Sequence, residues 1–272
     1  MIVVKISTFY QLDIKCHAII RILLGVLILS SCPFEAYCQG EAQEIAKKEY
    51  ERDLGKTSLA TLTMTLKDKR GHQRVRKLIV ASKFVGNIRQ QYVRFDSPKS
   101  IAGTSFLSME TAESNDDQFL FLPAAGRVRR IVSGQMTRSF ANTDYSYEDM
   151  QRRNYSRDTF ELLGAETVLG RPCFKIRRQS VEKDDSQYSY IESCIAKEIY
   201  VTIKATFFDE KQNPVKYFEA HNLEKIQGIW TITDSEFKNL QKGTATRLQV
   251  QSIKYNGELP DEMFTTTYLK TR

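Results

Sequence analysis

From Ser58 to Asp68 the chain alternates. In SLATLTMTLKD, Ala60, Leu62, Met64 and Leu66 fall on one side, and Thr61, Thr63, Thr65 and Lys67 on the other. A period of two is the signature of a half-buried strand. Just before it, EAQEIAKKEYERD sets Ala42, Ile45, Ala46 and Glu49 at helical spacing, and Gly55 closes the segment. After the KDKRGHQ turn, RVRKLIVASKF returns, followed by NIRQQYVRFDSP (stopped by Pro98), GTSFLSME, DQFLFLP and RVRRIV. Seven more segments end the series: TFELLGAETVLG, RPCFKIRRQSV, SQYSYIESC, EIYVTIKATFFDE, PVKYFEAHNLEKI, IWTITDSEFKNL and TATRLQVQSIKYN. Turn residues at Gly170, Asp184-Asp185, Asn213-Pro214, Gly228 and Gly243 separate them. No long helical pattern interrupts the run, so a parallel βαβ sheet is not expected. The pattern predicts one large, curved antiparallel sheet with few helices.

Several strands are apolar on both sides. In QFLFLP, Phe119 and Phe121 point one way and Leu120 and Leu122 the other; Phe207 and Phe208 divide in the same manner. Two readings follow. The helix and loops cover both faces as an ordinary core, or one face lines an apolar cavity for a lipid-like ligand.

The first part of the chain reads differently. Lys15 and Arg21 lead into the apolar run Ile22 to Leu29, which is shorter than the roughly 20 residues of a membrane span. A basic flank, a short apolar run and small residues predict a secretory signal over residues 1–38. Two exits are open. Leu29-Ser30-Ser31-Cys32 resembles a lipobox that would acylate Cys32 and anchor the protein to a membrane. Ala36 and Cys38 otherwise precede an ordinary cleavage before Gln39, releasing residues 39–272 as one domain. Only Cys173 and Cys194 then remain, an even pair that suggests a disulfide in an exported protein.

Of the 272 residues, 41% are hydrophobic and 27% charged, so the chain can bury a core, and the net charge of +7 favours anionic partners. The basic residues lie along strands, and no nucleic-acid-binding motif accompanies them. Past the signal the only histidines are His72 and His221. No HExxH motif, Cys/His ligand cluster, phosphate loop or GxSxG elbow occurs. The sequence predicts a non-enzyme without cofactor or metal, acting as a monomer.

A set of segments is similar to the bacterial outer-membrane lipoprotein-sorting protein family, whose fold is that of the periplasmic lipoprotein carrier LolA. They are EIAKKEYERDLGKTSLATLTMTLKDKRG, RFDSPKSIAGTSFL, DQFLFLPAAGRVRRI, SFANTDYSYEDM, LLGAETVLGRPCFKI, LEKIQGIWTITDSEFKN and LPDEMFT, in the family's order, over about residues 42–268. The resemblance implies a mainly β fold: an unclosed antiparallel β-barrel capped by helices, with an apolar cavity that receives acyl chains. It also implies the periplasm of a Gram-negative bacterium, with lipid or lipoprotein acyl chains as partners. Members of this branch are associated with resistance-nodulation-division exporters. Two departures stand out. Asn142 replaces a glycine of the family pattern, and Cys194-Ile195-Ala196 replaces a Trp-Ile-Asp run.

Within that frame RSFANTDYSYEDM, residues 138–150, is expected to form a lid beside the barrel mouth or a fixed plug of the core. Asp144 is the expected counter-charge of Arg127, Arg129 or Arg130, and Ser146 the cap of a short helix. Phe106, Phe119, Phe121, Phe140 and Trp230 are the candidate lipid-binding wall or cover. RPCFKIRRQSV and SQYSYIESC read as a hairpin. Placing Cys173 opposite Cys194 centres its turn between Lys183 and Asp184, and pairs Lys175 with Glu192 and Arg177 with Tyr190. That register predicts a disulfide between the two cysteines.

Overall fold

The computed structural model describes residues 33–111 and 116–271, with side chains from Gly40 onward. The signal-segment expectations and Cys32 lie outside the described residues, apart from the backbone of 33–38. Helix α1 (Pro33–Glu51) leads into a single 13-stranded antiparallel sheet. The sheet and the packing described below belong to one compact unit, Ala42–Arg272.

The strands are β1 (Thr57–Lys67), β2 (Gln73–Val85), β3 (Ile88–Ser97), β4 (Ser105–Met109), β5 (Asp117–Leu122) and β6 (Arg127–Ile131). The second series is β7 (Asp158–Val168), β8 (Arg171–Ser180), β9 (Tyr190–Ala196), β10 (Val201–Phe208), β11 (Pro214–Ile226), β12 (Ile229–Asn239) and β13 (Thr244–Tyr255). Each series is a meander, and pairing of β1 with β13 joins them. The order places β6 at one edge of the sheet and β7 at the other. The barrel is therefore unclosed, as expected. Residues 132–157, which connect β6 to β7, must cross from one edge to the opposite one. Because hydrogen-bonded partners share a face, the register can be followed across the whole sheet. Leu120, Phe106, Val93, Leu78, Leu62 and Leu248 share one face with Phe237, Phe218, Ala205, Ile191 and Ile176. This face meets both α1 and the 132–157 strap and is called the inner face here.

The outer face has its own cover. Phe264 and Leu269, in turns of the C-terminal tail, pack on Ala81, Tyr92 and Leu107, with Phe119 and Phe121 beside them. The Ser105 hydroxyl donates to the Leu269 carbonyl at 2.6 Å. Strand β4 is thereby buried on both sides, Ser105 to Ser108 without a break.

The β8–β9 hairpin differs from the expected register by two residues. Cys173 faces Ala196, Lys175 faces Cys194 and Arg177 faces Glu192. The connection is wide and is anchored at Asp185, which accepts from Arg153 and Arg157. A two-residue slip keeps every side chain on its face, so hydrophobic patterning does not oppose it. Cys173 and Cys194 stand diagonally on the outer face as buried free thiols, not as a disulfide. Burial and the adjacent Glu166 carboxylate, which accepts from Cys194 Sγ at 2.6 Å, push the Cys194 thiol up. The expected Lys175–Glu192 and Arg177–Tyr190 neighbours do meet, but diagonally, at 3.0 Å and by stacking at 4.8 Å.

Candidate functional site

The strap covers the inner face of the β1–β6 half. Phe140 is 1% exposed and packs against Phe106 at 5.0 Å, Phe95 at 6.0 Å and Tyr147 at 6.0 Å. Gln118 Nε2 donates to the Tyr147 carbonyl at 2.9 Å, and Tyr145 stacks on Phe237 at 4.6 Å. The backbone reverses through Ala141 (φ 49°) and Asn142 (φ 57°). Asparagine tolerates this left-handed conformation better than most residues do, so the loop forms without the family's glycine.

The acidic side chains of the strap do not meet the β6 arginines. Asp144 accepts from the hydroxyls of Thr244 and Thr246, the latter at 2.7 Å. Arg130 instead pairs with Asp117, Arg129 lies beside Tyr147, and Arg127 is exposed. The expected Asp144–arginine latch is thus corrected: the register of β13 places two threonines under Asp144, and β6 runs along the far edge. Asp149 accepts from Lys216 Nζ at 2.6 Å and from the Tyr188 hydroxyl at 2.7 Å. Glu148 takes Ser186 Oγ at 2.6 Å and Gln187 Nε2 at 2.9 Å. Ser146 accepts from the Asp149 amide at 3.3 Å, but the short helix Glu148–Met150 is preceded by Tyr147 at its N-cap, so the expected cap lies one residue too early. The strap is pinned to both series of strands, as a plug would be.

The β7–β11 half is covered by α1, and here the inner face is not filled. The helix presents Ala42, Ile45 and Ala46 toward Phe160, Ile176 and Ile195. Two of those three helical residues are alanine, too short to reach the sheet across the whole interface. A cavity of about 240 Å³ remains, walled by Ile176, Ile191, Ile195, Ala205, Phe207 and Phe218. Glu49 also lines it; burial raises its carboxyl above the usual range, against the pull of Arg52 and Arg178. Arg153 closes one side, its Nε donating to both carboxylate oxygens of Asp158 at 2.8 and 2.9 Å. At the end of α1, Tyr50 donates to Glu110, and Arg152 stacks on the Tyr50 ring at 3.7 Å while bonding Glu110 at 3.1 Å.

Of the five expected wall residues, only Phe106 and Phe140 come together, and they belong to the filled half. Phe119 and Phe121 lie on the outer face under the C-terminal tail, because the pleat that puts Leu120 inside turns them out. Trp230 is also on the outer face, under the Arg171 guanidinium at 4.6 Å. Alternation alone divides a strand into two sides without saying which is inside. Phe207, from a strand apolar on both sides, and Ala46 and Glu49, set at helical spacing, are the sequence signals that touch the cavity.

The sequence model of a family described as uncharacterized-protein-like matches residues 88–271. Solved structures agree. A DUF1329 family protein from Desulfovibrio piger superposes with a TM-score of 0.80 at 27% identity, over 85% of this chain and 99% of that one. A domain assigned as an outer membrane lipoprotein-sorting protein, from Vibrio parahaemolyticus, gives 0.80 at 28% identity over 86% and 100%. A LolA superfamily protein from Nitrosomonas europaea shares the fold, with 0.64 at 18% identity over 84% and 98%. No curated protein matches the chain. The chain belongs to the family whose model matches residues 88–271, and it shares its fold with these structures.

Proposed function

We propose that this protein is a non-catalytic carrier that binds acyl chains of lipoproteins or other envelope lipids in the inner-face cavity. The observation that supports the reading is the unfilled space under α1, with an apolar wall of Ile176, Ile191, Ile195, Phe207 and Phe218, on the face of a fold shared with a relative assigned to lipoprotein sorting. At about 240 Å³ it falls just short of the roughly 300–1,000 Å³ of typical ligand pockets. A long chain therefore enters only if α1 or the strap gives way, and α1 is the thinner cover. Among the described residues no helix is long and apolar enough to cross a membrane. Together with the relative's sorting assignment, the predicted signal supports a periplasmic setting, whether free or anchored through Cys32.

A second reading has its own support in the strap, which fills half of the inner face: an accessory protein of a resistance-nodulation-division exporter, with a packed barrel. Mass spectrometry of organic extracts from natively purified protein separates the two. Carriage predicts acyl-chain material that remains bound through purification. The accessory reading predicts none, and an exporter captured by crosslinking instead.

A further inference from the structure

Where the strap turns over at residues 139–142, a second opening of about 600 Å³ lies at one rim of the sheet. Three guanidinium groups line it: Arg74 and Arg76 from the start of β2, and Arg129 from β6. Ser100, Thr104, Ser139 and Asn142 add polar side chains, and no carboxylate lines the opening. Among the described residues none of the three arginines has a carboxylate in salt-bridge range. Arg76 is 7% exposed; its Nη1 donates to the Ala141 carbonyl at 2.7 Å, and its guanidinium lies over Phe95 at 5.6 Å. A nearly buried cation with no counter-charge, next to another cation, is an expensive arrangement unless an anion joins it. The floor is apolar, formed by Ile101, Leu120 and Leu122, and runs into the Phe106–Phe140 core.

We infer that this arginine-lined opening binds the phosphoryl group of an anionic lipid, with the apolar floor receiving the glycerol and the first methylenes. Arginine suits the task, because its planar fork matches the oxygens of a phosphate. The mixture of cations and apolar wall favours a head group over a free ion. The inference rests on the lipid-binding reading and specifies its ligand class.

The test uses short-chain phosphatidylglycerol, short-chain phosphatidylcholine and inorganic phosphate as titrants. The variant is Arg74→Gln/Arg129→Gln, both at exposed positions, with Arg247→Gln as a control on the outer face. Thermal melting checks that each variant folds. The expected result is a loss of phosphatidylglycerol affinity of tenfold or more in the double variant, with phosphatidylcholine and the control unchanged. Equal loss for both lipids, or no loss for either, overturns the site and leaves acyl carriage standing. Inorganic phosphate binding as tightly as the lipid overturns the head-group assignment. Wild-type protein that binds neither lipid overturns the carrier reading and this inference with it.

Discussion

Across β1–β6 the inner face meets Phe140 and Tyr147 of the strap, whereas across β7–β11 it meets Ala42 and Ala46 of the helix. The sheet is continuous and its inner side chains are similar in kind. The covers differ in volume. Aromatic rings reach down and interlock with Phe95 and Phe106, while alanine methyls stop short and leave a cavity. One surface thus holds a half whose centre is filled and that opens only at its rim, beside Arg74 and Arg129, and a half with space beneath its cover. The strap is tied to both: Gln118 and Arg76 donate to its Tyr147 and Ala141 carbonyls, and its acidic residues bond to β11, β13 and the β8–β9 connection.

If that contrast is real, Phe140→Ala should cost about 3–5 kcal/mol in chemical denaturation, the usual range for emptying a packed aromatic site. A cost below about 1 kcal/mol would mean that the strap is loosely seated and that the two halves are alike. Asp158→Ala should cost less, about 1–3 kcal/mol, because it removes a buried carboxylate that accepts from Arg153 where the strap enters β7, while Asp185 still pairs with Arg153. Asp158→Ala without measurable loss would remove this joint between the halves.

A smaller effect depends on pH and belongs to the filled half. Burial, with Glu110 nearby, pushes Asp116 up to about 6 from an ordinary 3.8, although Ser108 donates to it. The folded state then holds the proton more tightly than the unfolded chain does. The contribution is fully present below about pH 4 and is lost as pH rises through about 6. Relative to Asp116→Asn, the wild type should lose stability over that window and run parallel above it. Parallel curves throughout would mean that Asp116 is solvated. Asp144→Asn keeps one acceptor for Thr244 and Thr246, so it should cost about 1 kcal/mol. Hydrogen exchange should rise within 138–150 and nowhere in the strands. Ala205→Phe should have the smallest effect on stability, below about 1 kcal/mol, because the ring enters existing space; overpacking a filled core costs about 1–3. The same change should abolish acyl-chain binding.

Much of the sheet was legible, because period-two alternation marks every strand whatever its neighbours are. The helix was legible too, from Ala42, Ile45 and Ala46. What alternation leaves open is which side faces in: Phe119 and Phe121 were correctly placed on one side of β5, but that side is outer. A two-residue slip in the β8–β9 hairpin is equally invisible, since Cys173 and Cys194 keep their face in either register. The partners of Asp144 were hidden by distance along the chain. Charge favoured nearby Arg127, Arg129 and Arg130, while the crossing of the strap delivers Asp144 to Thr244 and Thr246 on β13. The cavity lining was the least legible, because it follows from small residues on the helix and not from any conspicuous motif.

The most direct measurement of the central claim is photocrosslinking with a fatty acid that carries its reactive group in mid-chain, followed by peptide mapping. The expected label lies on inner-face residues of β9–β11, around Ile191, Ala205 and Phe218, and disappears in Ala205→Phe. Label confined to the outer face, or unchanged in Ala205→Phe, would contradict an acyl-chain site beneath the helix.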